Sequence, residues 1–197
     1  MAKNDLTFVS SLFQHIGNID EKNFSLSSSM WQYKSFKKGE FYNNYQSVCK
    51  YVGFVLDGLF RTYYIDISSG DEKNIFFFTK HTLVVAFKSF VTQSPCNYHT
   101  QAIADSNVLM IHINDLQTLY KQSHQWEHLG RIIAEIAYTS AMDRTEGFLF
   151  KTPEERYVEL MKQHPEIIEQ VPLYHLSSYL GIQGPSLSRI RKRLSQK

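Results

Sequence analysis

Near Ile113 the spacing of apolar residues along the chain changes, and that change decides which folds are open to it. From about Phe36 to Ile113 the sequence is rich in Tyr, Phe, Val and Ile, in short runs separated by turn residues, the pattern of many strands in a sandwich or barrel. Beyond Ile113 the period lengthens from two to about 3.6 and stays there, so helices follow the strands. With 197 residues, 43% of them hydrophobic, the chain can bury one or two cores. The expectation is an α+β protein with a β-barrel first and helices after it.

The strands are legible run by run. Gly53 to Leu56 ends at Asp57-Gly58, where glycine accepts the positive φ of a tight turn, and Leu59 to Ile67 resumes. Ser68-Ser69-Gly70-Asp71 turns the chain before Lys73 to Phe78. Leu83 to Phe87, Tyr98 to Ala104 and Val108 to Ile113 complete the set.

Asn114 or Asp115 can cap a short helix through Tyr120, and a longer helix is predicted from about Gln125 to Phe150. Trp126, Leu129, Ile133, Ile136 and Ala137 form its stripe and Ile132 widens it, a face broad enough for both the barrel and a second copy of the helix. Thr152-Pro153-Glu154-Glu155 opens the next helix. The threonine oxygen can accept the N3 amide, proline suits N1, and Glu155 can complete a capping box. A boundary near Lys151 follows, with a helix from Pro153 to His164, a short turn around Ile167 and Ile168, and then Val171-Pro172.

The C-terminal stretch carries the most specific pattern. Leu173 to Leu180, then Gly181-Ile182-Gln183, then Pro185 to Leu194, reads as two short helices around a turn at which Gly181 takes a left-handed conformation. Leu176, Leu180, Ile182, Leu187 and Ile190 can close the pair against the preceding helix. The opposite face of the second helix carries Ser186, Ser188, Arg189, Arg191, Lys192 and Arg193. Net charge is only +2, yet no acidic residue occurs from Val171 to Lys197. A basic helix of this kind fits a DNA major groove, where arginine and serine can reach base edges or phosphates.

On these residues the chain resembles the Crp/Fnr regulators. The likeness extends over Lys38-Gly39-Glu40, Leu56-Asp57-Gly58-Leu59, the long helix, Thr152 to Tyr157, and Val171-Pro172-Leu173 through Leu187-Ser188-Arg189-Ile190-Arg191. The resemblance implies a cyclic-nucleotide-binding-type β-roll (a jelly-roll barrel) over 1–123, a dimerisation helix over 124–150 and a winged helix-turn-helix over 151–197, working as a homodimer on a palindromic site. No residues follow the second helix to form a wing, so the expected terminal domain is all-α unless strands precede the motif. Arg189, Ser186 and Ser188 are the expected base contacts. Arg191, Lys192 and Arg193 lie nearer phosphates, and Gln183 can reach either. Trp126, Leu129, Ile133, Ile136 and Ala137 are the expected dimer residues.

The chain departs from the family at the sensor. Cyclic AMP-binding relatives hold the nucleotide with a Gly-Glu pair and, about ten residues on, an Arg-Ser or Arg-Thr pair. An ungapped comparison puts Val85-Ala86 and Cys96-Asn97 there, so the ionic partners of the phosphate and ribose are missing. Cyclic AMP is therefore not the expected effector. Phe87, Lys88, Tyr98, His99 and Gln101 are the candidate lining of a pocket for some other molecule, or barrel packing. Two cysteines cannot supply the four thiolates of an iron-sulfur cluster. Gly184-Pro185 also stands where well-known relatives carry a base-reading Arg-Glu pair.

Other chemistry lacks its residues. His124 and His128 share a helical face but need further ligands for a metal, and there is no HxH, GxSxG, P-loop or paired acidic motif. No cofactor, metal or catalytic residue is expected, nor a signal peptide or membrane span, so the expected location is the cytoplasm. The expected partners are double-stranded DNA and a second copy of the chain, with RNA polymerase and an unidentified small molecule as further candidates. Two rival readings stay open: a ligand- or protein-binding module whose helix-turn-helix no longer reads DNA, and a barrel enzyme.

Overall fold

Strand β8 (Ser106–His112) has four successive buried residues, Val108 to Ile111, and so needs apolar partners on both faces. The structure, a computed structural model, describes residues 3–196; Met1, Ala2 and the basic Lys197 lie outside them. β8 pairs antiparallel with β1 (Trp31–Phe36) on one side and β3 (Tyr51–Asp57) on the other, and β6 (Leu83–Val84) completes the sheet in the order β1-β8-β3-β6. The second sheet has the order β2-β7-β4-β5, from β2 (Phe41–Asn43), β7 (His99–Ala102), β4 (Phe60–Ile65) and β5 (Glu72–Phe78). Val108 and Met110 join Phe36, Val55, Phe60, Val84 and Ala102 in one core, whereas Leu109 and Ile111 belong to another, as the two-residue period of a strand requires.

That other core is closed by helices. Leu109 and Ile111 meet Val9 and Phe13 of α1 (Lys3–Gly17), Phe24 of α2 (Glu21–Ser25), Phe90 of α3 (Phe87–Thr92), Leu116 and Leu119 of α4 (Ile113–Gln122), and the first turns of α5 (His124–Phe150). Trp126 anchors α5: its ring stacks on Phe24 with centroids 6.1 Å apart, and its Nε1 donates to Asn23 O at 2.9 Å. Such an aromatic with a satisfied polar tip contributes more than its area alone, by about 0.5–1.5 kcal/mol for the ring pair.

The stripe expected to form a dimer seam is thus divided. Trp126 and Leu129 are each 1% exposed and are used within the chain, and Ile133 lies partly buried against the same cluster. Only Ile136 is open, with Ala137 half-buried. Further exposed apolar side chains stand toward the C-terminal end of α5: Tyr138, Met142, Phe148, Leu149 and Phe150.

Several boundaries differ from those read in the sequence. β1 was outside the strand-rich range because only its end residues are buried, with Gln32 to Ser35 exposed between them. The predicted strand Leu83 to Phe87 is two residues long and turns into α3. α4 is capped by His112, whose Nδ1 accepts from Asn114 N at 3.2 Å, rather than by Asn114 or Asp115.

The C-terminal part is α6 (Pro153–Gln163), α7 (Pro165–Gln170), α8 (Leu173–Tyr179) and α9 (Gly184–Leu194). Thr152 and Glu155 form both halves of the capping box. Tyr157, Leu160, Ile167, Val171, Leu176, Leu180, Leu187 and Ile190 make the core. Described residues 153–196 contain no strand, so the implied wing is not present there; α7 occupies the approach to the motif.

Candidate nucleic-acid interface

The turn between α8 and α9 is set by Gly181, whose φ of +69° is open to glycine but strained for other residues. A Cβ at that position would also stand 2.7 Å from the Phe148 ring. Ile182 N then donates to Ser177 O at 3.0 Å, and α9 starts at Gly184 with Pro185 in its first turn, where a missing N–H costs nothing. Leu187, 1% exposed, and Ile190, 8% exposed, seat α9 on the helical core.

The other side of α9 is open. Gln183, Ser188, Arg189, Arg191, Lys192 and Arg193 are exposed, and Ser186 is half-buried. Arg189 bends back toward its own helix, with Nη2 donating to Ser186 Oγ at 3.3 Å. Among the described residues no carboxylate pairs with Arg189, Arg191 or Lys192, whereas Arg193 is bound by Glu154 of α6. Of the four basic residues expected to meet DNA, Arg193 is therefore the one bound to a carboxylate among the described residues.

α8 has a second role that the sequence did not announce: it docks on the β-roll. Ser178 Oγ accepts from Asn74 N and donates to Glu72 O, both at 2.9 Å, so it pairs with the backbone of β5. Arg61 of β4, 5% exposed, donates to Gln101 Oε1 at 2.9 Å, to Glu72, and to His175 Nδ1 of α8 at 2.9 Å. Burial first, then the Arg61 charge, lowers the His175 pKa to about 4, with Glu72 opposing. His175 is thus neutral at physiological pH, which leaves Nδ1 free to accept from the guanidinium. Leu59, Phe77, Ile103 and Ala104 of the roll join the helical core beside this polar cluster. An arginine within a strand rich in aromatic residues was the available sequence signal; its partner lay 114 residues away.

Two further arginines hold the C-terminal end of α8. Arg144 of α5 donates to Tyr179 O at 3.0 Å and to Asn74 O at 3.3 Å, with its guanidinium 4.0 Å from the Tyr179 ring. Arg156 of α6 donates to Leu180 O at 2.9 Å and to Lys151 O at 2.7 Å. Cations suit these positions because helix C-termini carry partial negative charge and unpaired carbonyls.

The five residues expected to line an effector pocket are not gathered in one place. Tyr98 and His99 line a groove with Tyr45 and Tyr64, and burial pushes the Tyr98 hydroxyl up to about 12. Gln101 is fixed between Arg61 and Gly39 O, while Phe87 and Lys88 stand on α3 and do not line this groove. His99 and Gln101 share a face of β7, but Gln101 is turned to Arg61 of the neighbouring β4, and α3 holds Phe87 and Lys88 apart from both. At the two positions matched to the nucleotide-holding pairs, Ala86 is 0% and Cys96 2% exposed, both inside the apolar core.

No sequence-family model matches the chain, nor does any curated protein. Solved structures do. FixK2 from Bradyrhizobium japonicum superposes with a TM-score of 0.71 at 18% identity, over 84% of this chain and 85% of that one. The catabolite activator protein of Thermus thermophilus matches with a TM-score of 0.58 at 14% identity, over 93% and 86%. A cyclic nucleotide-binding domain from Methylobacillus flagellatus matches with a TM-score of 0.64 at 11% identity, over 74% and 82%. The roll, the long helix and the helix-turn-helix together give this chain a Crp/Fnr-like fold.

Proposed function

We propose that this protein is a transcription regulator of the Crp/Fnr type rather than an enzyme, acting in the cytoplasm as a homodimer. Its division of labour is a sensory roll over 1–123, a dimerising helix over 124–150 and a DNA-binding part over 151–197. The observation that carries the reading is the outward face of α9, where Arg189, Arg191 and Lys192 have no carboxylate partner among the described residues while Leu187 and Ile190 hold the helix from behind. A helix presented in this way can enter a major groove, with Arg189, Ser186 and Ser188 at base edges, Arg191 and Lys192 nearer phosphates, and Gln183 within reach of either. Two such helices about 34 Å apart would read a palindromic site. RNA polymerase would then be the partner through which bound regulator acts.

The effector is not cyclic AMP in this reading, because the matched residues Val85, Ala86, Cys96 and Asn97 offer a phosphate no cation. The rival of a binding module without DNA affinity draws on Gly184 and Pro185, which offer no side-chain hydrogen bond at the first turn of α9. Binding of the full chain to fragmented genomic DNA at two salt concentrations separates them. DNA-driven association weakens steeply with salt through counterion release, and a chain that shows no retention even at low salt is the binding module instead.

A further inference from the structure

At one end of the second sheet a groove of roughly 860 Å³ runs between the β4–β5 hairpin and the loops that carry Tyr45 and Asn97, a volume suited to a small molecule. Its walls are the rings of Tyr45, Tyr64 and Tyr98 with Ile65, Ile67 and Ile75, and among the described residues neither lysine nor arginine lines it. Its polar groups are Asp66, Ser68, Asn97 and His99. Hydrogen bonds from the Ser68 hydroxyl and amide hold the Asp66 carboxyl below its ordinary range, and burial lowers the His99 pKa, so the first is an anion and the second uncharged. A phosphate or carboxylate entering here meets the Asp66 carboxylate and, among the described lining residues, no cation. A flat aromatic ring can stack on the tyrosines and give an N–H to Asp66 or Asn97.

His99 also leads out of the groove. Its ring stacks on Tyr63 with centroids 5.1 Å apart and planes 23° from parallel. The Arg61 guanidinium lies 3.9 Å from the centroid of the Tyr63 ring, and Arg61 in turn binds His175 of α8. We infer that this groove binds a flat, uncharged, nitrogen-containing aromatic molecule, and that the chain His99, Tyr63, Arg61, His175 passes its occupancy to the helix-turn-helix. The regulatory meaning rests on the DNA-binding reading above; the binding and its transmission to α8 do not.

The test uses the full chain with indole as the probe and indole-3-acetate as its acidic analogue, read by saturation-transfer NMR and by amide hydrogen exchange without DNA. Indole is expected to bind saturably, the acid and the Tyr64→Ala variant each at least fivefold more weakly, and exchange at Ser177 to Tyr179 is expected to change severalfold on binding. Arg61→Met, with His175→Phe as a second variant should the first misfold, keeps indole affinity and loses the α8 response. Absent saturable binding, equal binding of the acid, or α8 exchange indifferent to indole each overturns the inference. So does a groove closed to indole at dimer-forming concentrations, which would make a second copy its occupant. Where the response in α8 is present, DNA affinity is expected to shift with indole by about 5- to 150-fold, the usual range of coupling. No DNA affinity at all, with the exchange response intact, refutes the regulator reading and leaves the groove in place.

Discussion

Nη1 of Arg61 lies 2.9 Å from Nδ1 of His175, a hydrogen bond between a strand of the β-roll and the first helix of the helix-turn-helix. Both side chains are buried, 5% and 3% exposed, and Glu72 supplies the counter-charge. Orientation of α9 relative to the roll therefore depends on a bond that only a neutral histidine can accept.

Acid should weaken this contact. An ordinary imidazole titrates near 6.5, and His175 is lowered to about 4. Between those values the unfolded chain takes up a proton that the folded chain refuses, so the contribution of His175 is complete above pH 6.5 and lost as pH falls through that window. The slope is at most about 1.4 kcal/mol per pH unit. Urea unfolding at pH 7 and pH 5 should show a larger loss for the wild type than for His175→Phe; equal losses would show that the histidine is not held neutral.

Arg156 makes a stability prediction of a different kind. Its guanidinium serves Lys151 O and Leu180 O at once, at the ends of α5 and α8. Arg156→Met leaves those carbonyls without this donor and should cost about 1–3 kcal/mol. Arg156→Lys should recover little of it, because an ammonium cannot reproduce the planar fork. Full recovery by lysine in thermal or urea unfolding would mean that charge alone matters here.

The Thr152–Glu155 capping box, the left-handed Gly181 and the apolar set of α8 and α9 were legible because each is decided within a few residues. So was the long helix, since 27 residues give a period ample room. β1 was not legible, because its middle residues face solvent and no alternation marks it. Trp126 and Leu129 sat on the correct face of α5, yet a stripe does not say whether its partner lies in the same chain or another. Arg61 and His175 are 114 residues apart and Arg144 and Asn74 70 apart, and nothing local in either segment names the partner. The contact between roll and helix-turn-helix is therefore the part of the candidate site that only the fold reveals.

The open surface of α5 should be what joins two copies. Ile136 is 51%, Leu149 71% and Phe150 77% exposed, large side chains left in water along one helix. Large apolar side chains left in water are what protein association commonly covers. Ile136→Asp and Leu149→Asp should shift the chain toward monomer in sedimentation velocity and weaken DNA binding without changing thermal stability of the monomer. Trp126→Ala, by contrast, should cost about 3–5 kcal/mol of folding stability, as truncation of a buried tryptophan does. Dimers that withstand both aspartates would place the seam elsewhere.

Cyclic AMP should leave the melting temperature unchanged. A ligand at a hundred times its Kd stabilises the folded state by about 2.7 kcal/mol, a shift of several degrees that a thermal scan resolves. The matched positions offer Val85, Ala86, Cys96 and Asn97, none of them cationic, so no such shift is expected at millimolar nucleotide. A clear one would mean that the phosphate finds a cation from another element, with Lys88 on α3 the first to replace.

The basic residues of α9 should separate into two classes when replaced one at a time. A residue that touches only phosphate weakens binding to all sequences alike, and its loss lowers the slope of log affinity against log salt by about one. Arg191→Ala and Lys192→Ala should behave in this way. A residue that reads a base loses discrimination, by about 1–3 kcal/mol at one position of the site. Arg189→Ala should do that, and Ser188→Ala more weakly. Arg193→Ala should have the smallest effect on DNA, since its guanidinium already serves Glu154 of α6. Selection of binding sites from random DNA, followed by affinity measured across a salt series, assigns each variant. Unchanged preference in Arg189→Ala would move base reading to Gln183 or Ser186 at the start of the helix, where Gly184 and Pro185 leave the backbone close to the groove.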